Sequence, residues 1–476
     1  MNGRVAPCLY TDAEVDAFFA SCKRVHFIGI GGSGMYPIVQ ILRAEGFDVR
    51  GSDVLLGDIV RAEQKSGICV KIGPQCAENL GDAQLVIYTA ALLDDNPELL
   101  AARERGLPCL ERSLALGYVS RLYKKSIGVA GTHGKTTTTA MLTQILLEAG
   151  RDPGAVIGGK LRAIGGYGRA GAGELCPIEA CEFVDTFLHL SPDSAVILNI
   201  DDDHLDYFLT MENLCASFRK FAEKARTRVY YNASDPLTAQ TMAGLRTEVV
   251  TFGWDASFDF AALDPQPGAR AGWRFVLAHR GERLGEIRLR VPGKHNVLNA
   301  LAAAAVALTE GVPFGQIAAS LAAYPGAGRR FEFLGTVNGA DVADDYAHHP
   351  TEVAATLRAA RDMGYDRIWA VFQPFTFSRT YTLMQDFADA LSLADRVILT
   401  PIMGSRERNT WGVRSEQLAA KIPGSVLLPG FSEIDEYLRR EAKPGDLILT
   451  MGCGNIYEAA HLLTGCVSAA PEGEAK

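Results

Sequence analysis

Residues Ser126 to Leu142 read SIGVAGTHGKTTTTAML: a short apolar run, a turn punctuated by glycine, then a lysine and a row of threonines leading into an apolar-periodic stretch. The run predicts a strand over Ser126 to Ala130, and the 3.6-residue period after it predicts a helix over Lys135 to Ala149. Such a turn aims backbone N–H groups and the positive end of a helix at phosphate oxygens. Gly131, Thr132, His133, Gly134, Lys135 and Thr136 are therefore the candidate ATP loop, with Lys135 reaching the β- and γ-phosphates and the Thr136 hydroxyl facing Mg²⁺. The general P-loop pattern has a glycine where Val129 stands, but the shorter GTHGKT form keeps the phosphate-facing glycines. An ordinary glycine turn before a helix is the competing reading, and it leaves the order of strand, glycines, lysine and threonine without a cause.

Downstream, Cys176 to Phe208 read CPIEACEFVDTFLHLSPDSAVILNIDDDHLDYF. Glu179 and His204 are separated by a helix-sized segment and a strand over Ser194 to Ile200, which puts both at the sheet edge where open parallel sheets bind ligands. With Thr136 they form the candidate magnesium set, a carboxylate and a neutral imidazole beside the nucleotide. Asp201 and Asp202 are read as cap and loop residues.

Upstream, Phe27 to Met35 read FIGIGGSGM. Gly29, Gly31 and Gly34 have GxGxxG spacing, with Gly32 and Ser33 between them, and Asp53 follows the second strand where a ribose acceptor would stand. The loop suits a pyrophosphate, and two ligands remain open: NAD, in a dehydrogenase, or a UDP-sugar. The dehydrogenase reading has no use for GTHGKT. Toward the C-terminus, PGKHNVLNALAAAAVAL (Pro292 to Leu308) places His295, Asn296 and Asn299 on the first turns of an alanine-rich helix, and amides of this kind either cap the helix or read an adenine edge. GAGRRFEFLG and VADDYAHHPTEV then gather Arg329, Arg330, Asp344, Asp345, Tyr346, His348 and His349. One or two of these are expected to be structural ion pairs.

At 476 residues the chain exceeds one hydrophobic core. Three α/β domains are expected: residues 1–122, a Rossmann-like domain whose glycine loop leaves NAD or a UDP-sugar open; residues 123–327, a central ATP-binding parallel sheet with a small antiparallel sheet over Trp273 to Ala278 and Glu286 to Val291; and residues 328–476, a third α/β domain that the resemblance described below makes Rossmann-like and amino-acid-binding. The tail from Ser468 is polar and reads as disordered. The net charge of -9 supplies no basic field for nucleic acid or anionic lipid. The acidic N-terminus does not read as a signal peptide, and no apolar run approaches a membrane span, so a cytoplasmic location is expected. Ten cysteines without a CxxC pair are read as thiols, chiefly buried, with no assigned function.

Taken in order, GIGGSGM, GTHGKTTT, NIDDDHLDYF, PGKHNVLNALAA, RRFEFLG, DDYAHHPTEV and FQPFTFSRT resemble the Mur ligase family from about Val25 to Leu463. The resemblance implies an ATP-dependent ligase that joins L-alanine to the carboxylate of UDP-N-acetylmuramate through an acyl phosphate. Within the superfamily the alternative is a recycling ligase that adds a tripeptide to the same sugar. It further implies that Lys135 holds phosphate, that Thr136, Glu179 and His204 serve magnesium, and that Asn296 contacts adenine, with Arg330 beside the nucleotide. The GIGGSG loop would take the UDP pyrophosphate. Tyr346, His348 and Arg379 would border the nucleophile, on a C-terminal domain that closes over ATP. Three departures stand out. The family's EADES is Glu179-Ala180-Cys181-Glu182-Phe183 here, its FQPHRYSR has Phe375-Thr376-Phe377 in place of His-Arg-Tyr, and its GAGDI is Gly452-Cys453-Gly454-Asn455-Ile456. The second removes an arginine expected near the amino-acid carboxylate.

Overall fold

The computed structural model describes residues 10–93, 95–268, 272–404 and 407–465. The polar tail from Ser468 lies outside them. The chain forms two compact units, one of residues 1–265, 275–287 and 297–324, the other of residues 266–274, 288–296 and 325–476.

The first unit holds two sheets. Five parallel strands run in the spatial order Cys69–Ile72, Asp48–Asp53, Arg24–Ile28, Leu85–Tyr88 and Cys109–Glu111. The order reverses beside Arg24–Ile28, so the glycine loop that follows Ile28 opens at the switch point where such sheets take ligands. Strand Leu85–Tyr88 is buried along its whole length, as expected of a parallel strand covered on both faces. Helix Tyr36–Ala44 follows the loop with Pro37 in its first turn, and Ile38, Val39, Ile41 and Leu42 face the core.

The second sheet of this unit has ten strands, with Lys125–Ala130 between Ser194–Ile197 and Leu175–Glu179, all three parallel. The expected antiparallel strands are Trp273–His279 and Glu282–Leu289, joined by Arg280 and Gly281 at φ 49° and 82°. Positive φ at both turn residues is the signature of a tight hairpin. Instead of forming a separate small sheet, they continue the central sheet at its edge. The sequence reading also passed over strands Ala155–Leu161 and Gly166–Arg169 at the opposite edge. Their four glycines dilute the apolar alternation that marks a strand.

The other unit carries a six-stranded sheet in the order Glu332–Val337, Ala340–Asp345, Asp446–Met451, Arg367–Phe372, Arg396–Leu399 and Val426–Leu427. Glu332–Val337 is antiparallel to its neighbour and the rest are parallel. Among the described residues no helix is long and apolar enough to cross a membrane. The described cysteines are free thiols: Cys22, Cys109 and Cys176 are buried, Cys69 is exposed, and the others are intermediate.

One buried group stands out in the first sheet's cover. Glu63, on helix Asp58–Lys65, is fully buried, and neither carboxylate oxygen has a hydrogen-bond partner among the described residues. Burial, with the Asp53 charge nearby, pushes its pKa up to about 8. The folded pKa thus lies above the unfolded one, so stability contributed at acid pH is lost as the pH rises from the ordinary carboxyl range to about 8. Glu63→Gln removes this titration. Urea unfolding at about pH 5 and about pH 8 should show the variant gaining on the wild type with rising pH, by up to a few kcal/mol.

Candidate active site

Strand Lys125–Ala130 ends in a loop whose glycines accept backbone angles that other residues resist: Gly131 has φ 151° and Gly134 has φ 86°, the latter as N-cap of helix Lys135–Glu148. Asn299 packs against Gly134 so closely that a Cβ there would overlap its side-chain amide. Asn199, just beyond strand Ser194–Ile197, grips the loop from the other side, accepting the His133 N–H at 2.8 Å and donating to the His133 carbonyl at 3.0 Å. Thr132 and His133 also bind the Asp201 backbone and carboxylate, at 2.9 Å and 3.1 Å. Asp201 therefore anchors the loop, a role beyond the capping expected from sequence.

Lys135 is 14% exposed, and its ammonium donates to the Thr132 carbonyl at 2.9 Å and to Glu182, itself 1% exposed, at 3.1 Å. Burial works against the Lys135 charge, but the Glu182 carboxylate outweighs it and holds the ammonium above the usual lysine range. The Thr136 hydroxyl donates to Glu179 at 3.0 Å, and the other Glu179 oxygen accepts the Gly158 N–H at 2.6 Å. Hydroxyl and carboxylate oxygens side by side are the hard donors that Mg²⁺ prefers, and that ion keeps several waters, so a small protein donor set suits it. His204 lies beyond strand Ser194–Ile197 as the N-cap of the short helix Leu205–Phe208. It adopts φ 58°, with its ring 4.7 Å from Phe183 and its backbone N–H on Asp203 at 2.8 Å. The helix-sized segment between Glu179 and Ser194 contains a kinked 3-10 stretch, Phe183–His189, with Val184 and Asp185 at positive φ. Two sites missed by sequence reasoning follow: Glu182 as the partner of Lys135, and Gly158, whose lack of a side chain admits the Glu179 carboxylate.

At the first glycine loop, Asp53 bends back to accept the Gly31 N–H at 2.8 Å and the Leu55 N–H at 3.1 Å. Gly29 donates to the Ser52 carbonyl and Gly32 to the Gly29 carbonyl. No oxygen among the described residues accepts the Ser33 or Gly34 N–H.

In the other unit Arg329 is a structural residue. It binds Asp344 at 2.9 Å and the Gly454 carbonyl at 3.0 Å, and its guanidinium stands 4.9 Å from the Tyr346 ring. Arg330 lies 5.1 Å from the same ring. Asp345 accepts the Phe331 and Ala347 N–H groups, each at 2.8 Å, and burial raises its pKa to about 6. His348 is held between the Tyr346 carbonyl at 3.0 Å and Glu352 at 3.4 Å, while His349 caps helix Pro350–Asp362. Arg379 lies on the short helix Phe377–Thr382, near enough to Cys453 for its charge to oppose the burial that raises that thiol. The Asn296 amide donates to the Pro292 carbonyl at 2.7 Å.

Comparison with known proteins matches three consecutive family models: the catalytic domain of the Mur ligase family over residues 24–124, the Mur ligase middle domain over 129–307, and the glutamate ligase domain of Mur ligases over 329–454. The chain belongs to the Mur ligase family. Within it, the chain is 42% identical to the UDP-N-acetylmuramate–L-alanine ligase of Caldanaerobacter subterraneus subsp. tengcongensis, over 92% of this chain and 96% of that one. The ligase of the same name from Acetivibrio thermocellus is also 42% identical, over 92% and 95%. The structure resembles UDP-N-acetylmuramate-alanine ligase MurC from Thermotoga maritima with a TM-score of 0.79 at 29% identity, covering 93% of this chain and 98% of that one. A murein peptide ligase from Psychrobacter arcticus follows at 0.73 and 26%, covering 94% and 100%. These relatives are ligases, so the dehydrogenase reading finds no support among them.

Gly158 gives the direct check on this Mur ligase's geometry. A Cβ there would fall 2.5 Å from one Glu179 carboxylate oxygen and 2.6 Å from the other. Gly158→Ala should displace Glu179 from Thr136 and lower the rate of ADP formation about 100-fold, with the melting temperature nearly unchanged. A coupled ADP assay alongside a thermal melt reads both.

Proposed function

We propose that this chain is the ATP-dependent ligase that joins L-alanine to the lactyl carboxylate of UDP-N-acetylmuramate, in cytoplasmic synthesis of peptidoglycan precursors. The observation that carries the reading is the Lys135, Thr136 and Glu179 constellation, suited to the terminal phosphates of ATP, in a chain matched over 92% of its length by relatives named for this reaction.

A carboxylate does not accept an amine at neutral pH because oxide cannot leave. Attack of the carboxylate oxygen on the γ-phosphorus breaks the bond to the β-bridging oxygen and releases ADP, and the product is an acyl phosphate. The amine of alanine then adds to the acyl carbon, phosphate departs, and the amine loses its proton. Lys135, already held charged by Glu182, is placed to stabilise the charge that develops on the transferred phosphoryl oxygens. Mg²⁺, bound through Thr136 and Glu179 with His204 as a further ligand, would supply Lewis-acid neutralisation of the phosphate oxygens. Gly131 to Thr136 hold the nucleotide phosphates, Asn296 and Arg330 serve its base and ribose end, and Gly29 to Gly34 with Asp53 take the UDP-sugar. Tyr346, His348 and Arg379 border the alanine, whose carboxylate Arg379 takes through two parallel N–H donors.

Phosphate release with ATP, Mg²⁺ and UDP-N-acetylmuramate should be fastest with L-alanine among L-alanine, glycine, L-serine and the stem tripeptide. A preference for the tripeptide would make this the recycling ligase instead. Lys135→Ala should cut ADP formation at least ~100-fold, while calorimetry shows UDP-sugar binding nearly intact. Arg379→Lys should raise KM for L-alanine with a loss of roughly 2 to 4 kcal/mol in transition-state binding. Apparent affinities for ATP and the UDP-sugar should stay as they are. An unchanged KM in a folded variant would remove Arg379 from the site.

A further inference from the structure

Strand Cys109–Glu111 is the last of the five-stranded sheet, and its register brings Glu111 level with Tyr88, which is level with Ile28. Gly29 and Arg112 therefore leave the same edge of the sheet two strands apart, about 10 Å, a gap that an arginine side chain nearly spans. Arg112 opens helix Arg112–Leu122 and is half-buried. Its side chain lies over the glycine loop: a Cβ on Gly34 would stand 3.3 Å from both Cδ and Nη1 of Arg112.

Among the described residues Arg112 makes no ion pair or hydrogen bond. Arg121, one end of the same helix away, is paired with Asp12 at 3.0 Å and Asp16 at 2.6 Å. A half-buried guanidinium against a loop whose Ser33 and Gly34 N–H groups have no acceptor among the described residues is a concentration of donors with nothing to receive them. It is the arrangement that phosphate fills best, because the planar fork delivers paired N–H···O bonds where lysine offers a point charge. The helix also packs toward the ATP loop's supports. Ser113 hydrogen-bonds His189 at 2.8 Å, at the end of the segment that follows Glu182. The Arg112 charge is felt at Cys181, where it counters part of the burial that raises the thiol.

We propose that Arg112 is a substrate-binding residue that grips the pyrophosphate of the UDP-sugar together with the Ser33 and Gly34 N–H groups. The inference rests on the reading of the GIGGSG loop as the UDP-sugar site and adds to it a side chain from the far end of the sheet. By holding the diphosphate on the side nearer the Glu179–Glu182 turn, Arg112 directs the rest of the substrate toward Lys135.

Calorimetric titrations of the full chain with UDP, UDP-N-acetylglucosamine and UDP-N-acetylmuramate test this, with ATP binding and thermal melts as controls for folding. Arg112→Gln should weaken all three uridine ligands by a similar factor, roughly 10- to 100-fold for a charge-assisted pair, and leave ATP binding unchanged. Arg112→Lys should fall between. Gly34→Ala, which crowds the guanidinium without removing its charge, should also weaken all three. If only UDP-N-acetylmuramate weakens, the residue meets the lactyl carboxylate and the pyrophosphate assignment is overturned. If a folded Arg112→Gln binds all three as the wild type does, Arg112 has no role in binding. If the wild type itself binds no uridine ligand, the fault lies with the functional reading and not with Arg112 alone.

Discussion

The contact between the Lys135 ammonium and the Glu182 carboxylate is the interaction on which the proposed nucleotide site depends. A lysine this far from water would ordinarily lose its proton, since desolvation disfavours the charged form. Glu182, 1% exposed, reverses the outcome, and the Gly131 and Thr132 carbonyls accept the ammonium's other two N–H bonds. Buried ion pairs add little net stability once desolvation is counted. The return here is positional: a cation fixed beside the loop proposed to hold the nucleotide phosphates. Because Glu182 starts the kinked Phe183–His189 segment, the two residues at positive φ within it are part of what aims the carboxylate.

The same contact bears on the residue that precedes Glu182. Cys181 stands where relatives carry an acid, and burial pushes its thiol up to about 11, so it is neutral at ordinary pH. Another carboxylate would add a further charge to a crowded pocket already holding Glu179 and Glu182. Loss of the middle acid removes repulsion without removing either glutamate that Lys135 and Thr136 use.

The other unit shows the opposite distribution of rigid and strained parts. Arg329 ties Asp344 to the Gly452 to Gly454 turn and is flanked by the Tyr346 and Tyr457 rings, at 4.9 Å and 4.6 Å, so its charge is spent on architecture. Close by in sequence to Arg379, Thr376 adopts φ 64°, a conformation that a β-branched residue resists. Its N–H bonds the Met403 carbonyl at 2.9 Å, and the Ser378 N–H bonds Glu407 at 2.8 Å, so both ends of that turn are pinned. A pinned, strained turn is a rigid mount for the arginine that follows it.

Local pattern sufficed for the parts of this protein governed by local physics. Strand, glycine turn and helix at Ser126 to Leu142 are dictated by residues adjacent in the chain, so that unit and the parallel sheets were legible. The departures at Cys181 and Thr376 could be seen but not valued. What only the tertiary structure decided depends on residues far apart in sequence meeting at one sheet edge. Glu182 reaches back to Lys135, Gly158 makes room for Glu179, Asn199 clamps His133 and Arg112 comes to rest over Gly34. None of these pairs leaves a periodic or compositional mark, because register and crossover connections, not neighbouring residues, set who meets whom. Arg329 shows the limit most plainly: only the fold, by placing Asp344 within 2.9 Å of it, makes it structural.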